Sequence, residues 1–370
     1  MGVPGRNWTF VFVETDAGIV GIGEATLENL ELAVAATVEH MSEVLIGEDP
    51  TRVEYLWQSL HKRFFWPIGA VVGSAMSGLD QAFWDIAGKA LGVPVYRLLG
   101  GPVRDRIWAY ARPDVPGLTE PEQTAEATLE AAAAGFTAFK INAAYDRVDY
   151  AERDLIDGTV EVVRTAREVG GDRMHLMVDN HGRHGADTAI QLLQRLREYN
   201  LLFYEEPTRP DNIKVLARIA AAQTGVPLAT GERLFTRWGF RELIESEAVS
   251  IIQPDICHAG GISEVRRIAA HAELYGQRLA PHNPLGPVST AASIHLAAAT
   301  PNFLMLEHCR RQPWFDEVQR DPLRLEDGHF VLPEGPGLGI ELDEDVIARN
   351  PYRPRAFYDI RYPDGAFGEV

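Results

Sequence analysis

Ionisable side chains stand at regular intervals from the middle of the chain onward, each directly after a short apolar stretch. Six of them follow one another every 23 to 27 residues: Asp179, Glu205, Glu232, Asp255, His282 and Glu307. This interval is about the length of one strand, one helix and their loops. In a closed barrel of parallel strands, the strand ends converge on one mouth, where active sites lie. A helix N-cap would explain one such acid, but six in phase predict a shared site.

Three of these acids have the chemistry of metal ligands. Asp179, Glu205 and Glu232 offer hard oxygen atoms from neighbouring strands, and Mg²⁺ binds such atoms while keeping sites for water or substrate. No soft ligand joins them, which disfavours zinc. Without a cation the three carboxylates would repel one another, unless one were neutral or hydrogen-bonded. Glu206 is left out of the set because strand alternation points it away from Glu205.

The sequence also predicts a base and a cation. Asp255 and His282 end adjacent strands, and a carboxylate behind a histidine orients the ring and stabilises its charged form, so His282 becomes a usable base. A purely structural histidine is the alternative. Lys140 and Asn142 end the second strand with both side chains inward. Lys140 could hold a substrate carboxylate, or it could serve only as a charge partner of Asp179.

The chain has eleven histidines, which need to be sorted. His181 follows Asp179 by two residues, so its side chain should face the same mouth. His184, His258 and His308 lie near enough to strand ends to contact a substrate. Four others lie in predicted helices and are interpreted as structural: His40, His61, His271 and His295.

The elements that must position these side chains form a repeating pattern. Eight apolar stretches, separated mostly by amphipathic helical segments, predict strands: 107–111, 138–142, 176–180, 202–205, 228–231, 251–254, 278–282 and 303–307. Such alternation is typical of parallel βαβ units, and eight strands indicate an α/β protein with a (β/α)7β barrel. An open doubly wound sheet is the alternative, but it would usually carry a G-x-G-x-x-G phosphate motif, which the chain lacks.

The rest of the chain follows other patterns. The first hundred residues predict a β-hairpin over 9–22 and then three helices: 27–45, 52–64 and 70–91. Gly100-Gly101-Pro102 then breaks the chain. We expect three parts: an α+β capping domain over 1–105, the barrel over 106–325, and a loop-rich C-terminal segment over 326–370 that packs on the capping domain.

Composition narrows the possible partners. The chain has 370 residues and a formal net charge of −18, so its surface repels nucleic acid and anionic membranes. An acidic protein that acts on an anionic substrate needs local positive charge, which a metal ion can supply. Two cysteines without a C-x-x-C pair favour a reducing cytoplasm. We expect neither a signal peptide nor a membrane span.

Two features resemble the enolase superfamily in its mandelate racemase group. Residues 74–89, SAMSGLDQAFWDIAGK, are similar to a signature of that group's capping domain, and the strand-end series is similar to its barrel. Within the group, five stretches resemble the galactonate dehydratases: 139–142, 179–183, 231–235, 253–261 and 280–287. The resemblance covers nearly the whole chain.

The resemblance implies an Mg²⁺-dependent dehydratase that converts an aldonate such as D-galactonate to a 2-keto-3-deoxy acid. It assigns the following roles: metal ligands Asp179, Glu205 and Glu232, a base dyad of His282 and Asp255, an acid at His181, and Glu307 near the developing enediolate. Lys140 would contact the substrate carboxylate, while Asn142 and His308 would contact other parts of the substrate. Family members tend to be homo-oligomers, so we expect one here.

Two departures from the family pattern bear on the reaction. Racemases of this group carry Lys-x-Lys, and here the second lysine is replaced by Asn142, which argues against racemisation. We also expect the first strand of the capping domain to be missing, so that the chain starts at the loop that usually covers the substrate. An epimerase or cycloisomerase is the alternative enzyme. A catalytically silent sugar-acid binding protein is a third possibility, although binding alone needs no inward base.

Overall fold

Two packed parts make up the structure, an N-terminal α+β part and a barrel. The computed structural model describes residues 1–66, 68–113, 120–143, 152–309, 313–357 and 359–368. The N-terminal part, here called the capping domain, contains these elements: β1 (Gly2–Val3), β2 (Arg6–Asn7), β3 (Phe10–Glu14), β4 (Val20–Glu24), α1 (Glu31–Ser42), α2 (Val53–Arg63), α3 (Ala70–Leu91) and α4 (Val95–Leu98). No helix in the described ranges is long and apolar enough to cross a membrane.

The capping domain is built around α3. Residues 73–88 of this helix are almost all buried, and α3 ends at Gly92 in the left-handed conformation that a glycine C-cap provides. The predicted hairpin is present: β3 and β4 pair antiparallel and lie against α3. Within the described residues this sheet has two strands.

The barrel follows the alternation that the sequence predicts. Its elements are β5 (Arg106–Arg112), α5 (Pro121–Ala133), β6 (Ala138–Asn142), α6 (Arg153–Gly170), β7 (His175–Asp179), α7 (Ala186–Leu196), β8 (Phe203–Glu205), α8 (Ile213–Ala221), β9 (Leu228–Thr230), α9 (Thr236–Glu245), β10 (Ile251–Ile252), α10 (Gly261–Leu274), β11 (Arg278–Leu279), α11 (Pro287–Ala299) and β12 (Leu306–Cys309). Neighbouring strands from β5 to β11 pair in parallel.

The sheet closes on itself. Strand β12 pairs in parallel with β5, and a parallel bridge between Leu279 and Phe303 joins the β11 side to the segment before β12. The eight strands and seven intervening helices confirm the predicted (β/α)7β barrel. The doubly wound alternative is wrong, because its sheet would have two open edges.

The barrel interior contains two layers of different chemistry. The lower layer is a cluster of buried apolar side chains, one from each strand or from the residue next to its end: Tyr110, Ala138, Met177, Phe203, Ala229, Ile251, Ala280 and Met305. The residues two positions further along each strand share the inward direction. They form the upper layer: Arg112, Lys140, Asp179, Glu205, Gly231, Gln253, His282 and Glu307. The packed lower layer thus supports a polar ring at the mouth.

The C-terminal residues divide between the two parts. Strands β13 (Leu325–Glu326) and β14 (His329–Val331) form a hairpin that pairs antiparallel with β5, so the segment expected on the capping domain begins against the barrel. Further along, the backbone N–H of Leu338 donates to Asp85 of α3 at 2.8 Å. Two further α-helices of the described residues are α12 (Pro313–Glu317) and α13 (Glu344–Arg349).

Helix α3 docks the capping domain onto the start of α10. Ser77 Oγ accepts a hydrogen bond from the backbone N–H of Gly260 at 2.9 Å, and Asp80 accepts from the N–H and hydroxyl of Ser263 at 3.0 and 2.5 Å. A Cβ on Gly261 would lie 2.4 Å from Asp80 Oδ2, and its φ of +80° suits glycine. The signature segment 74–89 is therefore largely an interface between the two parts.

A buried histidine predicts how acid will affect stability. His295 accepts from the Tyr96 N–H at Nδ1 (3.2 Å), so Nε2–H donates to the Leu338 carbonyl (3.0 Å). Burial lowers the pKa of His295 from 6.5 to about 4. Because the folded pKa lies below the unfolded one, this neutral ring stabilises the fold above pH 6.5. That contribution, about 3 kcal/mol, is lost as pH falls toward 4.

Thermal melting between pH 7.5 and 4.5 checks this expectation. The wild-type Tm should fall steeply below pH 6.5, and His295→Gln should have a lower Tm at neutral pH and a shallower fall. His40→Gln is the control, because the His40 side chain is 72% exposed. Parallel pH curves for wild type and His295→Gln would contradict the assignment.

Candidate active site

Three carboxylates meet at the mouth of the barrel. Ligand atoms of Asp179, Glu205 and Glu232 all lie within 4.8 Å of one another. Asp179 and Glu205 are register partners on β7 and β8, whereas Glu232 follows β9 in the adjacent loop. One oxygen each of Glu205 and Glu232 is buried without a hydrogen-bond partner. Hard oxygen donors with unpartnered atoms fit a metal ion, so this cluster could hold one.

Lys140 is the cation that faces this cluster. Its Nζ lies 2.8 Å from Glu205 Oε2, 3.2 Å from Asp179 Oδ2 and 2.9 Å from Glu307 Oε1. The side chain is 1% exposed, so each of these ion pairs is shielded from water. The sequence left open whether Lys140 holds a substrate carboxylate or is a charge partner of Asp179. In the structure Lys140 forms an ion pair with Asp179, and also with Glu205 and Glu307.

The charge of the cluster is unbalanced. Burial and the Asp179 charge raise the pKa of Glu205 well above its usual value. Burial alone would also raise the pKa of Asp179, but the charges of His181 and Lys140 hold it well below the usual range. One acid of the set is thus driven toward its neutral form, and a bound cation would favour the charged form of all three.

His282 and Asp255 form a close pair. His282 Nδ1 lies 2.7 Å from Asp255 Oδ2, and its Nε2 lies 3.6 Å from Glu232 Oε2. The Cys257 N–H donates to Asp255 Oδ1 at 2.6 Å and fixes the carboxylate. Burial alone would lower the pKa of His282, but the Glu232 charge and the Asp255 hydrogen bond raise it to about 10. A cation on Glu232 would oppose that rise and favour the neutral ring that a base requires.

Glu307 lies opposite, between two cations. Its Oε1 contacts Lys140 and lies 3.5 Å from Arg112 Nη1, and its Oε2 accepts from the Asn283 N–H at 2.9 Å. Burial alone would raise the pKa of Glu307, but the charges of Lys140, His282 and Arg112 lower it to about 2. Glu307 is therefore an anion with fixed geometry at the mouth.

His181 stands on a strained piece of backbone. Its Nε2 lies 3.3 Å from Asp179 Oδ2, and its φ is +52°. Glu206 also has a positive φ, +44°, and such angles are uncommon outside glycine and concentrate at functional sites. Arg233 links the two residues, because it donates to both Glu206 oxygens at 2.8 Å and to the His181 carbonyl at 3.1 Å. Glu206 thus belongs to this clamp and not to the carboxylate cluster.

Two buried amides of the mouth have unpartnered polar atoms. Asn142 is 3% exposed and its Nδ2 has no hydrogen-bond partner, while Gln253 is fully buried with both amide atoms unpartnered. Buried polar atoms are rarely left unsatisfied, so each of these atoms fits a bound water or substrate hydroxyl.

His308 lies elsewhere. It is one residue beyond the inward Glu307, so its side chain is on the outer face of β12. There its ring packs with Phe136, Phe315 and Phe330 at centroid distances of 6.3, 5.4 and 5.1 Å. This corrects the prediction that His308 contacts substrate: the histidine belongs to an aromatic cluster outside the barrel.

The sequence reasoning did not single out Arg112 or include Gln253 in the site. Both were detectable, because each stands two residues after an inward apolar residue, Tyr110 or Ile251. Arg112 is the last residue of β5, one position beyond the predicted stretch 107–111. His258, by contrast, contacts Ser74 of α3 at 2.8 Å and lies 3.7 Å from Asp255, so it connects the capping domain to the base pair.

Two family descriptions match the chain. "Mandelate racemase / muconate lactonizing enzyme, N-terminal domain" matches residues 3–100, and "Enolase C-terminal domain-like" matches residues 123–346.

Individual proteins match over nearly the full length. The D-galactonate dehydratase of Pectobacterium atrosepticum is 40% identical, with 98% of this chain and 96% of that protein covered. That of Xanthomonas oryzae pv. oryzae is 37% identical over the same shares. An enolase structure from Agrobacterium radiobacter, provisionally described as a galactarate dehydratase and containing sodium and L-malate, has a TM-score of 0.89 and 36% identity. It covers 99% of this chain and 96% of that one.

Proposed function

The chain belongs to the mandelate racemase / muconate lactonizing enzyme family of the enolase superfamily, and from that premise we propose that it removes water from a sugar acid of the galactonate class. Its full-length relatives named D-galactonate dehydratase make it a hydro-lyase. One observation carries the assignment to the mouth: two histidines contact the same acidic cluster, His181 through Asp179 and His282 through Glu232. A base and an acid on one cluster suit an elimination.

Asp179, Glu205 and Glu232 would hold Mg²⁺, which when bound supplies positive charge that stabilises the enediolate form of the substrate. Lys140 attracts the substrate carboxylate to the mouth. His282, oriented by Asp255 at 2.7 Å, takes the proton from carbon 2. Glu307, held by Lys140 and the Asn283 N–H, stays fixed beside the position where charge develops.

The second half of the reaction belongs to His181. His181 Nε2 lies 3.3 Å from Asp179, and the clamp through Arg233 fixes the backbone of His181. His181 gives its proton to the hydroxyl that leaves carbon 3, and the enol becomes a 2-keto-3-deoxy acid. Asn142 binds a substrate hydroxyl with its unpartnered Nδ2. Because Asn142 replaces the second lysine of the racemases, this wall offers no second base.

A substrate panel tests the proposal. D-galactonate, D-gluconate, other aldonates and aldarates are incubated with Mg²⁺, and 2-keto-3-deoxy product is scored. Product from an aldonate, with D-galactonate the best, is the expected result. Deuterium entering carbon 2 from D₂O without loss of water would instead support the epimerase or cycloisomerase. Binding without any reaction over long incubation would support the silent binding protein.

His181→Asn should separate the two halves of the reaction. The variant keeps His282, so it should still exchange the carbon-2 proton with D₂O, while water loss falls by about 10²- to 10⁴-fold. Proton NMR of recovered substrate measures the first and product formation the second. His308→Phe is the matched control, since the His308 ring packs in the aromatic cluster outside the barrel. Dehydration by His181→Asn at the wild-type rate would refute its role as the acid.

The proposal includes a cytoplasmic location and a homo-oligomeric state, which is the tendency of the family. Light scattering coupled to size-exclusion chromatography tests the second point. A single peak at the mass of one 370-residue chain would remove it from the proposal.

A further inference from the structure

One buried carboxylate of the capping domain plays no part in the proposed chemistry. Glu24, the last residue of β4, is fully buried. Its Oε1 accepts from the Gly286 N–H and the Thr26 hydroxyl, both at 2.8 Å, and its Oε2 accepts from the Ser289 N–H at 3.0 Å. Burial raises the pKa of Glu24 to about 7, while these three donors act in the opposite direction. Two of the donors belong to the barrel.

These two N–H groups open helix α11. Gly286 is the N-cap of α11 and has no side chain that could accept from the first turn. Unpaired N–H groups and the helix dipole both favour a carboxylate at this end. A Cβ on Gly286 would lie 2.7 Å from both Glu24 oxygens, so glycine permits this close approach. The cap of α11 is therefore supplied by the other part of the molecule.

The first turn of α11 in turn holds Asn283. Ser289 Oγ donates to Asn283 Oδ1 at 2.8 Å, and Asn283 Nδ2 donates to Thr290 Oγ1 at 3.0 Å. The Asn283 N–H donates to Glu307 Oε2 at 2.9 Å, and Asn283 Nδ2 donates to the Glu307 carbonyl at 3.0 Å. Asn283 directly follows His282 in the chain. Two side chains of the proposed mechanism are thus connected to the segment that Glu24 caps.

We propose that Glu24 is a positioning residue that fixes residues 283–289 and thereby holds His282 and Glu307 in the geometry that proton abstraction requires. The proposal rests on the proposed function, because it concerns the reach of His282 toward carbon 2. Displacement of a reacting group by about 1 Å can cost about 100-fold in rate. The proton-transfer step therefore depends on a residue of the capping domain that never touches substrate.

Glu24→Gln tests the proposal directly. Glutamine keeps the size of the side chain but turns an NH₂ toward one of the two N–H groups of α11, so the segment loses part of its anchor. We expect kcat to fall about 10- to 100-fold with KM within about threefold, because substrate binding is preserved while the base is misplaced. Ser289→Ala, which deletes only the hydroxyl bound to Asn283, should lower kcat in the same direction and is a milder change to the fold.

A control variant distinguishes positioning of residues 283–289 by Glu24 from a general weakening of the contact between the capping domain and the barrel. Trp84→Phe removes another hydrogen bond between the two parts, Trp84 Nε1 to Ser263 Oγ at 2.9 Å, and leaves residues 283–289 untouched. It should lower Tm but leave kcat unchanged. A parallel fall of kcat in Trp84→Phe and Glu24→Gln would mean that docking in general matters, and would overturn a specific role for Glu24.

Hydrogen exchange followed by mass spectrometry supplies a readout that needs no substrate. Amide protection of residues 283–290 should drop in Glu24→Gln and persist in Trp84→Phe. Unchanged protection in Glu24→Gln, or lost protection with wild-type kcat, would each overturn the proposal. If the wild type converts no sugar acid, the dehydratase assignment fails, and the exchange result still decides whether Glu24 anchors the segment.

Discussion

Replacing His282 with alanine will reduce dehydration by about 10³- to 10⁴-fold, the upper range for loss of a general base. Asp255 orients the His282 ring at 2.7 Å, the proposed mechanism makes this ring the base for carbon 2, and the upper layer offers no second histidine to replace it. Steady-state product formation with D-galactonate and Mg²⁺ is the measurement. Carbon-2 proton exchange in D₂O should disappear together with product, unlike in His181→Asn.

Metal binding provides the control for this variant. His282 is not one of the three clustered acids, so calorimetric titration with Mg²⁺ should still give binding in His282→Ala. Removal of the charged ring beside Glu232 should, if anything, tighten it. Turnover retained by His282→Ala would show that another group takes the proton, and the base assignment would have to be abandoned.

Chelation of divalent metal will bring product formation to the background rate, and added Mg²⁺ will restore it. Two effects act together. Without a cation the acids repel one another and the developing negative charge is unsupported. In addition, Glu232 and Asp255 then raise the pKa of His282 to about 10, so the base is protonated at neutral pH. Assays after dialysis against chelator, with and without added Mg²⁺, measure the effect.

A pair of variants assigns the binding to the cluster. Loss of a residue that only holds a metal ligand in place typically lowers metal affinity about 10- to 100-fold. Glu232→Gln alters a proposed ligand itself, so it should weaken Mg²⁺ binding by at least about 100-fold. Glu206→Gln is the matched control, because Glu206 is also an acid at the mouth but pairs with Arg233 and lies outside the carboxylate cluster. Full activity after chelation, or equal losses of affinity in the two variants, would remove the metal from the proposed mechanism.

The sequence was informative where the fold imposes a period. Each βα unit returns the chain to the mouth, so one residue per unit could be placed without knowledge of packing, and Asp179, Glu205 and His282 stand in one site as expected. The prediction for His308 was wrong because it rested on nearness to a strand end and not on alternation. His308 follows the inward Glu307 directly, so it had to face outward.

Other features had no local signal. Lys140 lies among three acids because the curvature of the barrel brings β6 near β12, a distance that spacing along the chain does not encode. The pairing of β14 with β5 joins residues more than two hundred positions apart. Neither stretch carries a local sequence pattern that would predict its pairing partner. The cap that Glu24 provides for α11 is of the same kind, since a glycine N-cap gives no hint of a remote acceptor.

The two layers inside the barrel have separate roles: the lower layer stabilises the fold, and the upper layer carries the side chains of the proposed chemistry. Met177 and Phe203 belong to the apolar cluster that fills the barrel, whereas Asp179 and Glu205 stand two residues further along the same strands, in the upper layer. Mutations in the lower layer will therefore be removed by selection through loss of folded protein. Mutations in the upper ring leave the apolar filling intact and change what the mouth can transform. Single substitutions in the upper layer can therefore change which sugar acid the barrel accepts, while the lower layer continues to stabilise the fold.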